Sequence, residues 1–124
     1  MNIIISNSSD TPIYSQIVQC IQRDIVSGVL SEGDSLPSIR TLARDLSVSV
    51  ITTKKAYEIL ENQGYIETRQ GKGSVVSKKS GTLAREHKIS QVEQALLQAI
   101  DVSKELGMSL DELSDTLKIL YKEA

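Results

Sequence analysis

Apolar residues in the first half of the chain recur at helical spacing. Tyr14, Ile17, Val18, Ile21 and Ile25 form the stripe of an amphipathic helix packed on a core. Thr11-Pro12 reads as the N-cap and first turn of that helix, Gly28 as its stop and Glu32-Gly33-Asp34 as a turn. Ile39, Leu42, Ala43 and Leu46 repeat the stripe in a short second helix opened by Leu36-Pro37-Ser38. Ser47-Val48-Ser49 breaks the period, and Ser49 suits the N-cap of a third helix ending near Asn62-Gln63-Gly64. There Thr53, Ala56, Tyr57 and Leu60 face inward, while Ile51, Thr52, Lys54, Lys55 and Glu58 face outward or flank. Two helices joined by a three-residue turn, the second longer and exposed at its N-terminal end, describe a helix-turn-helix.

The pattern then changes period. Tyr65–Arg69 and Ser74–Ser77 are β-prone runs joined by Gln70-Gly71-Lys72-Gly73, which reads as a hairpin with a basic, glycine-rich tip. The same Gly-Lys-Gly run fails as a phosphate-binding loop. Ile66 stands where the first glycine of that motif belongs, and Gly73 stands where its Ser or Thr belongs. Lys78-Lys79-Ser80-Gly81 reads as a linker. Beyond it Ile89, Val92, Leu96, Ile100, Ser103 and Leu106 run at helical spacing to Gly107. Two starts fit this helix: a cap at Ser90 with Glu93, or a beginning near Thr82 running straight through. Ser109-Leu110-Asp111-Glu112 is a capping box for a last helix carrying Leu110, Leu113, Leu117 and Leu120. The domains expected are residues 1–77, a linker at 78–82 and a helical tail at 83–124.

Composition narrows the chemistry. With 124 residues, 40% of them hydrophobic, the chain suits one small globular domain with an appendage. Four Tyr with no Phe or Trp leave an aliphatic core. The single cysteine, Cys20, lies at the margin of the first stripe as a small boundary hydrophobe and excludes an intramolecular disulfide. His87 is the single histidine, so no His–carboxylate or Cys–His pair can be assembled, and the acidic residues belong on solvated helix faces. No enzymatic activity, cofactor or metal is expected. The only early apolar run, Ile3–Ile5, is far too short for a signal peptide or a membrane span, so a cytoplasmic location without a membrane partner is expected.

The formal net charge of −2 hides a segregation. Residues 1–34 carry a net −3 and residues 89–124 a net −4. Residues 35–79 carry eight bases against four acids, a net +4, and residues 80–88 add +1. A basic middle between acidic ends fits either an anionic partner for the middle or an ordinary solvated surface.

The run Pro12-Ile13-Tyr14-Ser15-Gln16-Ile17, then Gly28-Val29-Leu30, Gly33-Asp34, Leu36-Pro37-Ser38-Ile39-Arg40, Leu42-Ala43 and Leu46-Ser47-Val48-Ser49 resembles the N-terminal domain of GntR-family transcription regulators. The likeness continues through Thr52-Thr53-Lys54-Lys55-Ala56-Tyr57 and Gly64-Tyr65-Ile66-Glu67 to Gly71-Lys72-Gly73-Ser74-Val75-Val76, covering residues 11–77 without a gap. It implies a mainly α fold with a small β-hairpin, a winged helix-turn-helix binding operator DNA as a dimer. The short region left after it is similar to the YtrA-type subgroup, whose tail serves dimerisation and whose genes often accompany transporter operons. A dimeric repressor on a palindromic operator is the function this resemblance implies.

Carried over by position, Arg40 matches a family residue that contacts DNA near the backbone. Ser49, Thr52 and Lys54 match the start of the recognition helix, and Gly71 and Lys72 match the wing tip that enters the minor groove. Arg44 and Lys55, with Arg40, Lys54 and Lys72, are further candidates for phosphates, and Gly73 completes the tip. The sequence departs from the family at Val50, where many members carry Arg, so bidentate guanine recognition from that position is unavailable. Ile51, with Val50, either packs on thymine methyls or turns back against the preceding helix. In the tail, Leu96, Ile100, Leu106, Leu110, Leu113, Leu117 and Leu120 form an apolar stripe that two short helices cannot bury alone. It is covered either by a second copy or by folding back on the winged domain. Two other readings fit the scaffold: a protein-interaction module without DNA binding, and a small-molecule effector acting at the interdomain crevice.

Overall fold

The first stripe forms helix α1, Ile13–Val26, in a computed structural model that describes residues 1–124. Its apolar face, Ile17, Val18, Ile21 and Ile25, is buried, while Tyr14 and Cys20 sit at the margin. The expected Thr11 cap does not form. Pro12 occupies the cap position and no side chain caps the helix. Instead the Gln16 amide binds the preceding strand of chain, donating to the carbonyls of Ser6 and Thr11 at 2.9 Å each and accepting from the Ser6 N–H at 2.8 Å.

Helix α2 spans Ile39–Leu46 and helix α3 spans Val50–Asn62. Both start on the serine caps read from the sequence: Ser38 accepts from the Thr41 N–H and Ser49 from the Thr52 N–H. Between them Ser47 takes a left-handed φ of 55°. That conformation turns the chain sharply enough to bring Val48 back to the Ala43 carbonyl, 3.0 Å away. Helix α3 packs against both α1 and α2, burying Thr53, Ala56, Tyr57 and Leu60, the four residues expected inward.

Strands β1, Ile66–Arg69, and β2, Gly73–Val76, pair antiparallel with Ile66 opposite Val76 and Arg69 opposite Gly73. A two-stranded hairpin is marginal alone. Here β2 is also bonded along its other edge: Leu36 donates to Ser74, Gly33 to Val76, and Val76 to Asp34, each at 2.9 Å. Val75, Val76 and Ile66 are buried, so both backbone pairing and apolar burial tie the hairpin to the core.

Helix α4, Ser80–Glu105, starts ten residues before the Ser90 cap and close to the other start considered. The expected linker at 78–82 is corrected accordingly, since Ser80-Gly81-Thr82 form the first turn of α4. Leu83 explains the early start: it packs, partly buried, on the core. Helix α5 spans Leu110–Glu123 behind a Ser109–Glu112 capping box. The α4–α5 corner is a Schellman turn, with Met108 bonded to Ser103, Gly107 bonded to Lys104, and Gly107 at a φ of 70°. The chain divides into two compact units, Met1–His87 and Lys88–Ala124. No helix is long and apolar enough to cross a membrane.

One acidic residue departs from the solvated faces expected. Asp24 is 6% exposed, paired at 3.7 Å with the Arg23 guanidinium through Oδ1, while Oδ2 is buried without a hydrogen-bond partner.

Candidate nucleic-acid interface

Helix α3 presents its N-terminal end to solvent because its inward residues begin only at Thr53. Ile51 is 81% exposed and Val50 46%, so Ile51 does not turn back against α2. Ser49 donates to the Thr52 Oγ1 at 2.7 Å as well as capping the helix, and Thr53 Oγ1 donates to the Ser49 carbonyl at 3.1 Å. The first-turn hydroxyls therefore hold the helix end in shape. The uncapped N–H groups and the helix dipole make this end favourable to anions.

Basic side chains flank it. Arg40 is exposed on the first turn of α2. Arg44, one turn on, is exposed and lies 3.6 Å from the Asp45 carboxylate, and Lys54 lies 4.0 Å from Glu58. Such solvent-exposed pairs contribute little, so both cations stay available to a stronger anion. Lys55 is placed differently from the others: its ammonium stands 4.0 Å above the centre of the Tyr14 ring, a cation–π contact with α1.

At the hairpin tip the Lys72 N–H closes the turn on the Arg69 carbonyl at 3.0 Å, with Gly71 at a φ of 81°. A Cβ on Gly71 would meet nothing within 4 Å, so backbone conformation, not space, calls for glycine there. Gly71, Lys72 and Gly73 are all exposed. Arg69, at the turn end of β1, is held by Glu67, 2.6 Å from its Nη2 and 2.8 Å from its Nε, which neutralises it locally.

Sequence reasoning missed how the assembly is braced. The Tyr57 hydroxyl donates to the Pro37 carbonyl at 2.6 Å, joining α3 to the segment that opens α2. Burial pushes the Tyr57 phenol well above its ordinary range. Burial, and secondarily the charge of Glu86, also raises Tyr65. The inward spacing of Tyr57 was legible; the partner of its hydroxyl, twenty residues away, left no local signal.

A helix pair joined by a tight left-handed turn, the exposed end of its second helix, and a basic glycine-tipped hairpin together define a winged helix-turn-helix DNA-binding domain. Residues 13–76 match the bacterial regulatory proteins of the gntR family, and the chain belongs to that family. It is 36% identical over 110 residues to the HTH-type transcriptional repressor YtrA of Bacillus subtilis (strain 168), covering 89% of this chain and 85% of that protein. Its fold is similar to that of a transcriptional regulator from Oenococcus oeni, with a TM-score of 0.82 at 26% identity over 94% of this chain and 97% of that one. It is also similar to the AraR DNA-binding domain solved in complex with operator ORX1. There the TM-score is 0.54 at 25% identity, over 62% of this chain and 96% of the other. The protein is a DNA-binding transcription regulator, not an enzyme.

Proposed function

We propose that the protein is a homodimeric, cytoplasmic repressor that binds a palindromic operator, with a transporter operon as the regulated unit. Helix α3 enters the major groove, with Val50 and Ile51 at the bases and Ser49 and Thr52 near the backbone. Arg40, Arg44, Lys54 and Lys55 reach phosphates, as does Lys72 where the Gly71-Lys72-Gly73 tip enters the minor groove. The observation that carries this reading is the exposure of Arg40 and Arg44, of the α3 end and of the glycine tip. Repression is supported by the relative named a repressor.

The helical unit Lys88–Ala124 supplies the dimer interface in this proposal. Helix α5 buries none of its residues, and Leu106, Leu110, Leu117 and Leu120 are each at least half exposed. Leu96, Ile100 and Leu113 join Leu110, Leu117 and Leu120 around an open apolar groove of about 340 Å³. A second copy would remove that surface from water, at roughly 25 cal/mol for each Å² of apolar area covered. Two-fold pairing places two half-sites about one helical turn apart.

The test is selection of duplexes from a randomised pool by the full chain, followed by footprinting. Two symmetric protected half-sites are expected. Failure to enrich any duplex in dilute buffer contradicts the proposal.

A further inference from the structure

We propose that Ile51, with Val50 beside it, is a specificity-determining residue that reads thymine C5-methyl groups in each operator half-site. The inference rests on the proposed seating of α3 in the major groove. The chemistry displayed at the end of that helix is what points to thymine. Its first turns, residues 50–56, hold no Arg, Asn or Gln for two-pronged hydrogen bonds to guanine or adenine edges, and of the guanine-reading side chains only Lys54 and Lys55 remain. Of the other polar groups there, Ser49 donates to the Thr52 hydroxyl and caps the helix, Thr53 donates to the Ser49 carbonyl, and Lys55, its ammonium over the Tyr14 ring, is assigned to phosphate in the proposed seating. Lys54 is a flexible point charge lying 4.0 Å from Glu58.

Two branched aliphatic side chains project instead. Ile51 is 81% exposed and Val50 46%. Adjacent apolar groups are held out of the core by a helix whose inward face begins two residues later. Of the groups a base pair presents in the major groove, only the thymine methyl matches them: contact removes apolar surface on both partners and needs no donor. A·T pairs are therefore selected at the steps beneath this turn by shape and apolar contact.

The experiment uses duplexes selected from a randomised pool by the wild-type chain. Each thymine in a half-site is replaced singly by deoxyuridine, which removes the methyl and keeps every hydrogen-bonding group. Affinities are measured at one salt concentration for wild type, Ile51→Ala and Val50→Ala, each variant first checked for an unchanged thermal melt. One or two adjacent replacements should weaken wild type about three- to fivefold, the effect of a single methyl-sized apolar contact. The same replacements should cost Ile51→Ala much less. The inference is overturned if no replacement changes wild-type affinity, or if the penalty persists unaltered in both variants. Arg40→Ala and Lys72→Ala separate the two levels of the argument. Should they weaken thymine and deoxyuridine duplexes alike while wild type ignores the methyls, DNA docking stands and the thymine reading falls. Should no duplex be selected, both fall.

Discussion

Tyr57 of α3 donates its hydroxyl to the carbonyl of Pro37 at 2.6 Å, so a core residue of the second helix fixes the peptide leading into the first. The relationship matters for DNA binding because Arg40 and the α3 end must be presented together. Tyr57→Phe keeps the ring and leaves the carbonyl without this donor. Stability should fall by about 1–2 kcal/mol, read from the urea midpoint. An unchanged midpoint would mean the bond contributes nothing net.

The same residue predicts an alkaline limit. Burial raises the folded-state pKa of Tyr57 above its unfolded value, so the folded protein retains the phenolic proton where the unfolded chain has lost it. The associated stability is fully present below about pH 10, the unfolded value, and is lost as pH rises above it. Urea unfolding followed from pH 8 to 11 should therefore show stability declining at the top of this range, roughly the range of ordinary phenol titration. The decline should be smaller in Tyr57→Phe, with Tyr65, also raised by burial, supplying what remains.

Ser47 sits at a φ of 55°, where a side chain costs about 1–2 kcal/mol relative to the right-handed region. Glycine removes that cost but loses more backbone entropy on folding. Ser47→Gly should stabilise by about 0.5–1 kcal/mol, and Ser47→Val should destabilise, both measured by thermal and urea unfolding. A less stable glycine variant would contradict the turn geometry.

Asp24 places a carboxylate in the last turn of α1, buried and near the negative end of the helix dipole. Its pairing with Arg23 is long, and Arg23 is largely exposed, so compensation is weak. Asp24→Asn should raise stability at pH 7 by about 0.5–1 kcal/mol. A clear loss would show that the charge is favourably held.

Leu113→Asp with Leu117→Asp tests the proposed tail interface. A carboxylate left unpaired in such an interface costs about 3–5 kcal/mol, enough to separate subunits at micromolar concentration. Sedimentation should report monomers and operator affinity should fall steeply. Dimers that survive both changes would contradict the assignment.

The helix-turn-helix was legible because its signals are local. Ser38 and Ser49 cap where they stand, and the inward set of α3 follows from spacing alone. Ile51 could be assigned outward by the same periodicity, and its exposure follows. What spacing could not reveal depended on contacts distant in sequence. Leu83 reaches the core and draws the start of α4 back to Ser80, overriding the turn-like Lys78-Lys79-Ser80-Gly81. Gln16 takes over the anchoring role given to Thr11 because it bonds two carbonyls and an N–H of the preceding chain. Lys55, grouped with the phosphate-seeking cations by its outward position, finds a ring on α1 that no local pattern announces.

The salt dependence of operator binding tests the central claim most directly. Contacts to about five phosphates per subunit predict a log–log slope of several units, steepest for the dimer. Arg40→Ala and Lys72→Ala should each make the slope shallower by about two, one phosphate per subunit, while leaving sequence preference intact. A near-zero slope, or slopes unmoved by both substitutions, would contradict the placement of α2, α3 and the hairpin tip on DNA.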